Sequence, residues 1–245
     1  MTAIDAGGSR QWTVGSVLSM SFSVFTGHLV PFAGTALLLT VPTLLFRLVL
    51  PLSFFQNIVQ IAFGQIAYVT LIYGTVQALR GRKVAMGECL SEGFKRLGVA
   101  FVVGILYTIA LAVGFVLLIV PGVLVLLWWA VAVPSAVVEK TGVADSFSRS
   151  SALTRDRRWR ILGVLLVAGL IVGVIQFIIF WIIGLMAGST VTTLVLQHTS
   201  LFGLVQWLVG GVALAFYACL LATLYYSLRS DKEGVDINQI ASVFD

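Results

Sequence analysis

No charged residue occurs from Val99 to Val138. As one helix, these roughly 40 residues would reach about 60 Å at about 1.5 Å per residue, twice the roughly 30 Å hydrocarbon thickness of a bilayer. The stretch must therefore fold back on itself. Its strongest breaker near the middle is Pro121-Gly122, which sets an expected hairpin turn between a helix at about 98–119 and another at about 123–139. The rest of the chain could not cover such a hairpin in water. Hydrophobic residues make up 59% and charged residues 10%, and mean hydropathy is +1.05, whereas a soluble domain carries about a quarter charged residues. The class is integral membrane.

The same reasoning, applied along the chain, gives further spans at about 30–50, 54–79, 161–186 and 201–228. Pro31, Pro42 and Arg47 fall within the first of them. The expected fold is all-α: a polytopic membrane bundle of six transmembrane helices in a single domain, 13–228. It is flanked by a disordered N-terminal tail, 1–12, and a polar C-terminal tail, 229–245. The tail lacks the pattern of a cleaved signal peptide, so the first spans are expected to act as uncleaved insertion signals. Residues 187–200, rich in Ser and Thr, form the expected outer loop.

Charge then orients the spans. Six crossings put the N-terminal tail, the 80–97 loop, the 139–160 loop and the C-terminal tail on one side. That side holds every Lys and Arg except Arg47, and all Asp and Glu. Basic loops stay cytoplasmic, so the expected location is the inner (plasma) membrane, multi-pass, with both termini inside. The formal charge of +5 lies beside apolar spans, which argues for anionic lipid headgroups and against nucleic acid as partner. Arg47, near the outer end of the first span, is expected to snorkel to outer headgroups, or else to bind an anion or pair across the bundle.

A short pattern recurs before each odd-numbered span. Gly15-Ser16-Val17-Leu18-Ser19, Gly87-Glu88-Cys89-Leu90-Ser91 and Ala144-Asp145-Ser146-Phe147-Ser148 each place a small residue, two variable ones, a large apolar one and a serine in line. Phe22 and Phe94 also match. Three interfacial amphipathic helices, each feeding a hairpin, are expected from a threefold internal repeat.

Few residues carry candidate chemistry. Asn57, Gln60 and Gln77 share a face of the second span with small residues. Gln176 follows Gly169 and Gly173 in the fifth, and Gln206 and Tyr217 lie in the sixth. Helix packing with interhelical amide hydrogen bonds accounts for such faces; a polar path or lipid pocket is the alternative, weakened by the lack of Asp, Glu or Lys within a span. Cys89 and Cys219 are not expected to pair, and His28 and His198 are isolated. No metal-ligand, phosphate-loop or nucleophile motif occurs, so no catalytic residue, metal or cofactor is expected.

The 139–160 loop is the richest segment. Glu139 is the first acid after the uncharged run and can pair with Arg149, orienting the interfacial helix. Arg149, Arg155, Arg157, Arg158 and Arg160 form a candidate contact for anionic headgroups or a cytoplasmic partner, or a simple positive-inside anchor. A homo-oligomer stays open.

Pro121-Gly122, the aromatic-rich span, Pro134, Glu139, Ala144, Arg149-Ser150, Leu153-Thr154 and Trp159-Arg160 together resemble a bacterial family, the membrane domain of glycerophosphoryl diester phosphodiesterases, which shades into uncharacterised six-helix inner-membrane proteins. Asp156 stands where the family pattern has Gly. The resemblance implies a membrane region, fused in some relatives to a phosphodiesterase barrel. Six spans leave no room for a barrel in these 245 residues, and the His-Arg and paired acidic residues of such a barrel are missing, so hydrolase activity is not implied. The expected function is non-catalytic support of membrane transport or of envelope and lipid organisation. The alternative is an accessory subunit that recruits or regulates a phospholipid-processing enzyme.

Overall fold

The computed structural model describes residues 13–49, 53–186 and 200–233, which are helices and short connections with no strand among them. The helices are α1 (Val14–Gly27), α2 (Leu29–Val49), α3 (Ser53–Leu79), α4 (Met86–Leu117), α5 (Ile119–Trp128), α6 (Ala132–Val138), α7 (Val143–Thr154), α8 (Arg158–Met186) and α9 (Ser200–Glu233). Six stretches are long and apolar enough to cross a membrane: Leu29–Arg47, Phe55–Leu79, Met86–Leu117, Ile119–Val138, Arg158–Ile183 and Gly203–Glu233. The chain is a multi-pass membrane protein. The expected N-terminal tail, most of the 187–200 loop and the end of the C-terminal tail lie outside the described residues.

α9 is the packing centre. It contacts α1, α2 and α3 along its length and α6 and α7 near its end. Its small residues Ala215, Ala218 and Ala222 are fully buried, beside Leu220, Leu224 and Leu228. α8 is the opposite case. Over its most apolar stretch only 17% of residues are buried, against 50% for α9, and Leu166, Leu170, Phe177, Trp181 and Leu185 point outward. In water so much exposed apolar surface would be costly; in hydrocarbon it is the required exterior.

Three departures from the expected spans have physical causes. First, α4 starts at Met86 instead of near 98, because no breaker separates the amphipathic segment from the apolar one. Second, α9 continues past Leu228 to Glu233, with ion pairs holding its last turns. Third, the turn between the third and fourth spans falls at Leu118, which is extended at φ −168° and ψ 156°, and not at Pro121-Gly122. Pro121 lies in the first turn of α5, where a missing N–H costs nothing because those donors have no intrahelical partner. Gly122 serves close approach: a Cβ there would lie 2.6 Å from the Phe115 ring, and a Cβ on Gly114 would lie 2.9 Å from the Cα of Gly122.

The fourth span is interrupted. α5 ends at Trp128, and α6 resumes at Ala132 after Trp129 (φ −112°, ψ 16°) and Val131 (φ −113°, ψ 20°). Pro134 supplies the cause. Its ring clashes with the carbonyl one turn back and offers that carbonyl no N–H, so the helix opens just there.

α1, α4 and α7 share a register. Each recurring pentapeptide begins at the second helical residue. Its third position is buried in all three, as Val17, Cys89 and Ser146, while its first and last positions are exposed. One turn on, Ser21, Gly93 and Ser150 are buried as well.

The hairpin contact gives a test. Gly114→Ala should lower stability by about 1–3 kcal/mol, since backbone must move to admit the methyl. Gly98→Ala, with nothing within 4 Å, should be neutral or raise it by up to about 1 kcal/mol. Thermal unfolding in detergent separates the two.

Candidate functional site

The charged end of the bundle is built around the two corners that flank α7. At the first, Glu139 closes α6 and Lys140 turns the chain with φ 58°. At the second, Asp156 takes φ 68° between α7 and α8. These corners bring α7 across the opening in the fourth span.

Ser150 and Thr154 repair that opening. The Ser150 hydroxyl donates to the Trp128 carbonyl at 2.9 Å and accepts from the Val131 N–H at 3.3 Å. The Thr154 hydroxyl reaches the same carbonyl at 3.3 Å. Ser146, Ser150 and Thr154 are all fully buried and lie four residues apart, on one face of α7. Ser150 and Thr154 answer the polar groups of the interrupted backbone, which must be satisfied, while the Ser146 hydroxyl donates to the Gly142 carbonyl at 2.7 Å.

Beside this repair lies a network of alternating charge. Arg149 Nε donates to both carboxylate oxygens of Glu139, at 2.9 and 2.8 Å, and Arg149 Nη2 donates to Glu233. The Tyr225 hydroxyl donates to Glu139 Oε1 at 2.6 Å. Arg229 Nε donates to Glu233 at 2.8 Å, and its Nη1 lies 4.0 Å from Glu139. Two carboxylates and two guanidiniums thus alternate with no net charge. Burial alone would lower the Arg149 pKa; hydrogen bonds with Glu139 and Glu233 outweigh it and hold the pKa above the usual value. Glu139 and Arg229 are 14% and 17% exposed at their side chains, so the pairs are screened far less than surface ones.

The arginine run divides. Arg157 pairs with Asp231 at 2.9 Å, and the Arg158 guanidinium lies 5.3 Å from the centre of the Trp128 ring, within cation–π reach. Arg155 and Arg160 are exposed, and Trp159 between them is 84% exposed. Lys232 donates to the Ala152 carbonyl at 2.6 Å. Of the five arginines that sequence marks as one contact surface, Arg149, Arg157 and Arg158 each reach a partner on another element.

The candidate polar face of the spans is dispersed. Asn57 and Gln60 are exposed on α3. Gln77 donates to the Tyr73 hydroxyl at 3.0 Å near the charged end. Gln206 accepts from Arg47 Nη1 at 2.6 Å at the other end. Gln176 is half-buried on α8, and Tyr217 lies near Gly169. Among the described residues, no atom outside the glycine's own stretch of helix stands within 4 Å of where a Cβ on Gly173 or Gly210 would be, so neither glycine marks a close crossing there. Among the described residues, no three His, Cys, Asp or Glu side chains stand where they could hold a metal.

Sequence reasoning missed Tyr225, Arg229 and Glu233, which read as the end of a span and a tail. Their spacing of four along α9 was the available signal.

No protein-family model matches the sequence, no curated protein matches it, and no solved structure matches it.

Removing one partner of a partly buried pair leaves the other uncompensated. Glu139→Gln should therefore lower stability by about 2 kcal/mol, and a double-mutant cycle with Arg149→Gln should show coupling of about 1–3 kcal/mol. Ser150→Ala should cost about 1–3 kcal/mol by stranding backbone groups at the break. Thermal unfolding of each purified variant reads these values.

Proposed function

We propose that this chain is a non-catalytic protein of the inner (plasma) membrane that organises lipid, and through it the envelope or a transport process, by holding anionic headgroups at the α7–α8 corner. The observation that carries this reading is the exposure of Arg155, Trp159 and Arg160 together, immediately before a span. An indole between two cations is the composition that suits the headgroup layer. Arg149, Arg157 and Arg158 play a different part, fixing the corner from within.

The reading includes both termini in the cytoplasm, supported by the gathering of basic residues at one end. It includes interfacial placement of α1, the first turns of α4, and α7 as copies of one repeated unit, supported by their shared register and burial. A cysteine at Thr193 should label only from outside the cell; labelling from the cytoplasm alone would invert the topology. Buried Cys89 and Cys219 leave little background.

A second reading is an accessory subunit for a phospholipid-processing enzyme, as the phosphodiesterase membrane-domain resemblance suggests. Asp156 favours it: its φ of 68° is the conformation that favours the glycine of that family's pattern. Asp156→Gly should leave the fold intact and stabilise it by up to about 1 kcal/mol, measured by thermal unfolding.

The two readings differ in what the corner holds. Arg155→Gln/Arg160→Gln should weaken binding to phosphatidylglycerol vesicles about fivefold per charge, an effect that shrinks as salt rises. Unchanged lipid binding, with loss of a copurifying enzyme, would favour the accessory subunit instead.

A further inference from the structure

α3 turns two amides away from the bundle. Asn57 and Gln60 lie inside the membrane-crossing stretch Phe55–Leu79, and both are exposed. Neither has a hydrogen-bond partner among the described residues. Other polar side chains in the spans find partners within the chain. Thr40, Thr70, Thr75 and Thr108 each donate to a carbonyl one turn back. The Trp207 N–H donates to the Thr40 hydroxyl, and Gln206 accepts from Arg47. Helix packing inside one chain therefore does not account for Asn57 and Gln60.

The two amides belong to a continuous face. Asn57, Gln60, Ile61 and Gly64 stand at i, i+3, i+4 and i+7, which is one side of a helix. Ile61 is 52% exposed, and Ile58 beside it 47%. No atom outside the glycine's own stretch of helix lies within 4 Å of where a Cβ on Gly64 would be, so a neighbouring backbone has room to come close there. No charged residue occurs on α3 to repel a like surface.

In hydrocarbon an amide left without partners is costly. Its oxygen accepts and its nitrogen donates, so it needs both a donor and an acceptor. Lipid tails offer neither, whereas another amide offers both. A face built on amides is therefore complementary to itself, the property of a twofold interface in which one patch meets its own copy. Identical chains insert in the bilayer with one orientation. The twofold axis then runs along the membrane normal, the two α3 helices run parallel, and each residue near the axis faces its own counterpart.

We propose that this face of α3 is the contact between two copies of the chain. Asn57 and Gln60 hydrogen-bond to the same residues of the second copy, and Gly64 admits the close crossing. Amide bonds between helices and small residues at the crossing are what hold membrane helices together, where apolar side chains alone gain nothing over lipid. The outward face of α8, with Leu166, Leu170 and Phe177, makes no such demand and stays toward lipid. The amides lie in the first turns of α3, far from its end at Leu79, so this contact does not depend on the headgroup reading of the α7–α8 corner.

Cysteine crosslinking of the full chain in membranes, with an added oxidant, tests the geometry. Ile61→Cys, which keeps both amides, should give a disulfide-linked dimer. Leu170→Cys, 68% exposed on α8, should not, and buried Cys89 and Cys219 should add little. Energy transfer between labelled copies in phosphatidylcholine vesicles then reads the affinity. Gln60→Leu should weaken the dimer about threefold and Asn57→Leu/Gln60→Leu about tenfold. Gly64→Leu should abolish it by bulk yet leave the thermal unfolding of the single chain in place, because nothing in the chain stands in the way of the new side chain. A chain that stays monomeric at high protein-to-lipid ratio would overturn the proposal, as would equal crosslinking through Leu170→Cys. An undiminished dimer in Asn57→Leu/Gln60→Leu would overturn it too, by assigning the amides to the headgroup layer.

Discussion

A backbone opened inside an apolar span must have its polar groups answered from somewhere, and that constraint shapes the charged half of this protein. Pro134 opens the fourth span, and water is scarce at that depth, so each unmet N–H or C=O would cost several kcal/mol. Ser150 and Thr154 answer the groups at Trp128 and Val131. To reach them, α7 must lie across the span with its hydroxyl face inward. That requirement accounts for a short, polar, fully seated helix in an otherwise greasy chain.

Seating α7 places Arg149 beside Glu139, and both beside the end of α9. Low dielectric makes each of these charges costly alone and tolerable in alternation. The quartet of Glu139, Arg149, Glu233 and Arg229 also joins the fourth span, the crossing helix and the last span into one unit. Arg157 with Asp231 and Lys232 with the Ala152 carbonyl add two more ties between the same elements. The apolar half of the bundle relies on close packing instead, through Gly114, Gly122 and the alanines of α9.

Spans are easy to read because length and apolarity decide them, and six emerge from either view. Their joints are harder. Pro121 is a breaker on paper, yet the first turn of a helix tolerates it, so the bend falls at Leu118. Pro134 acts one turn upstream of itself, which hides the opening from any scan for breakers at their own positions. Glu139 and Arg149 stand out because charge is rare nearby. Tyr225, Arg229 and Glu233 do not, because polar residues after an apolar run look like a tail until a partner across the bundle is known. Arg80, Arg96 and Lys140 come from three distant segments, and only folding brings them to line one small recess.

The central position of α9 has a consequence for biosynthesis. Translation proceeds from the N-terminus, so α9 is the last of these helices to leave the ribosome. Before it arrives, Glu139 and Arg149 have each other but neither Glu233 nor the Tyr225 hydroxyl. The faces of α1, α2 and α3 that α9 will cover are still bare. A chain without α9 therefore differs from one with it by half-met charges and by uncovered apolar faces. One helix thus supplies both the missing charge partners and the missing apolar cover.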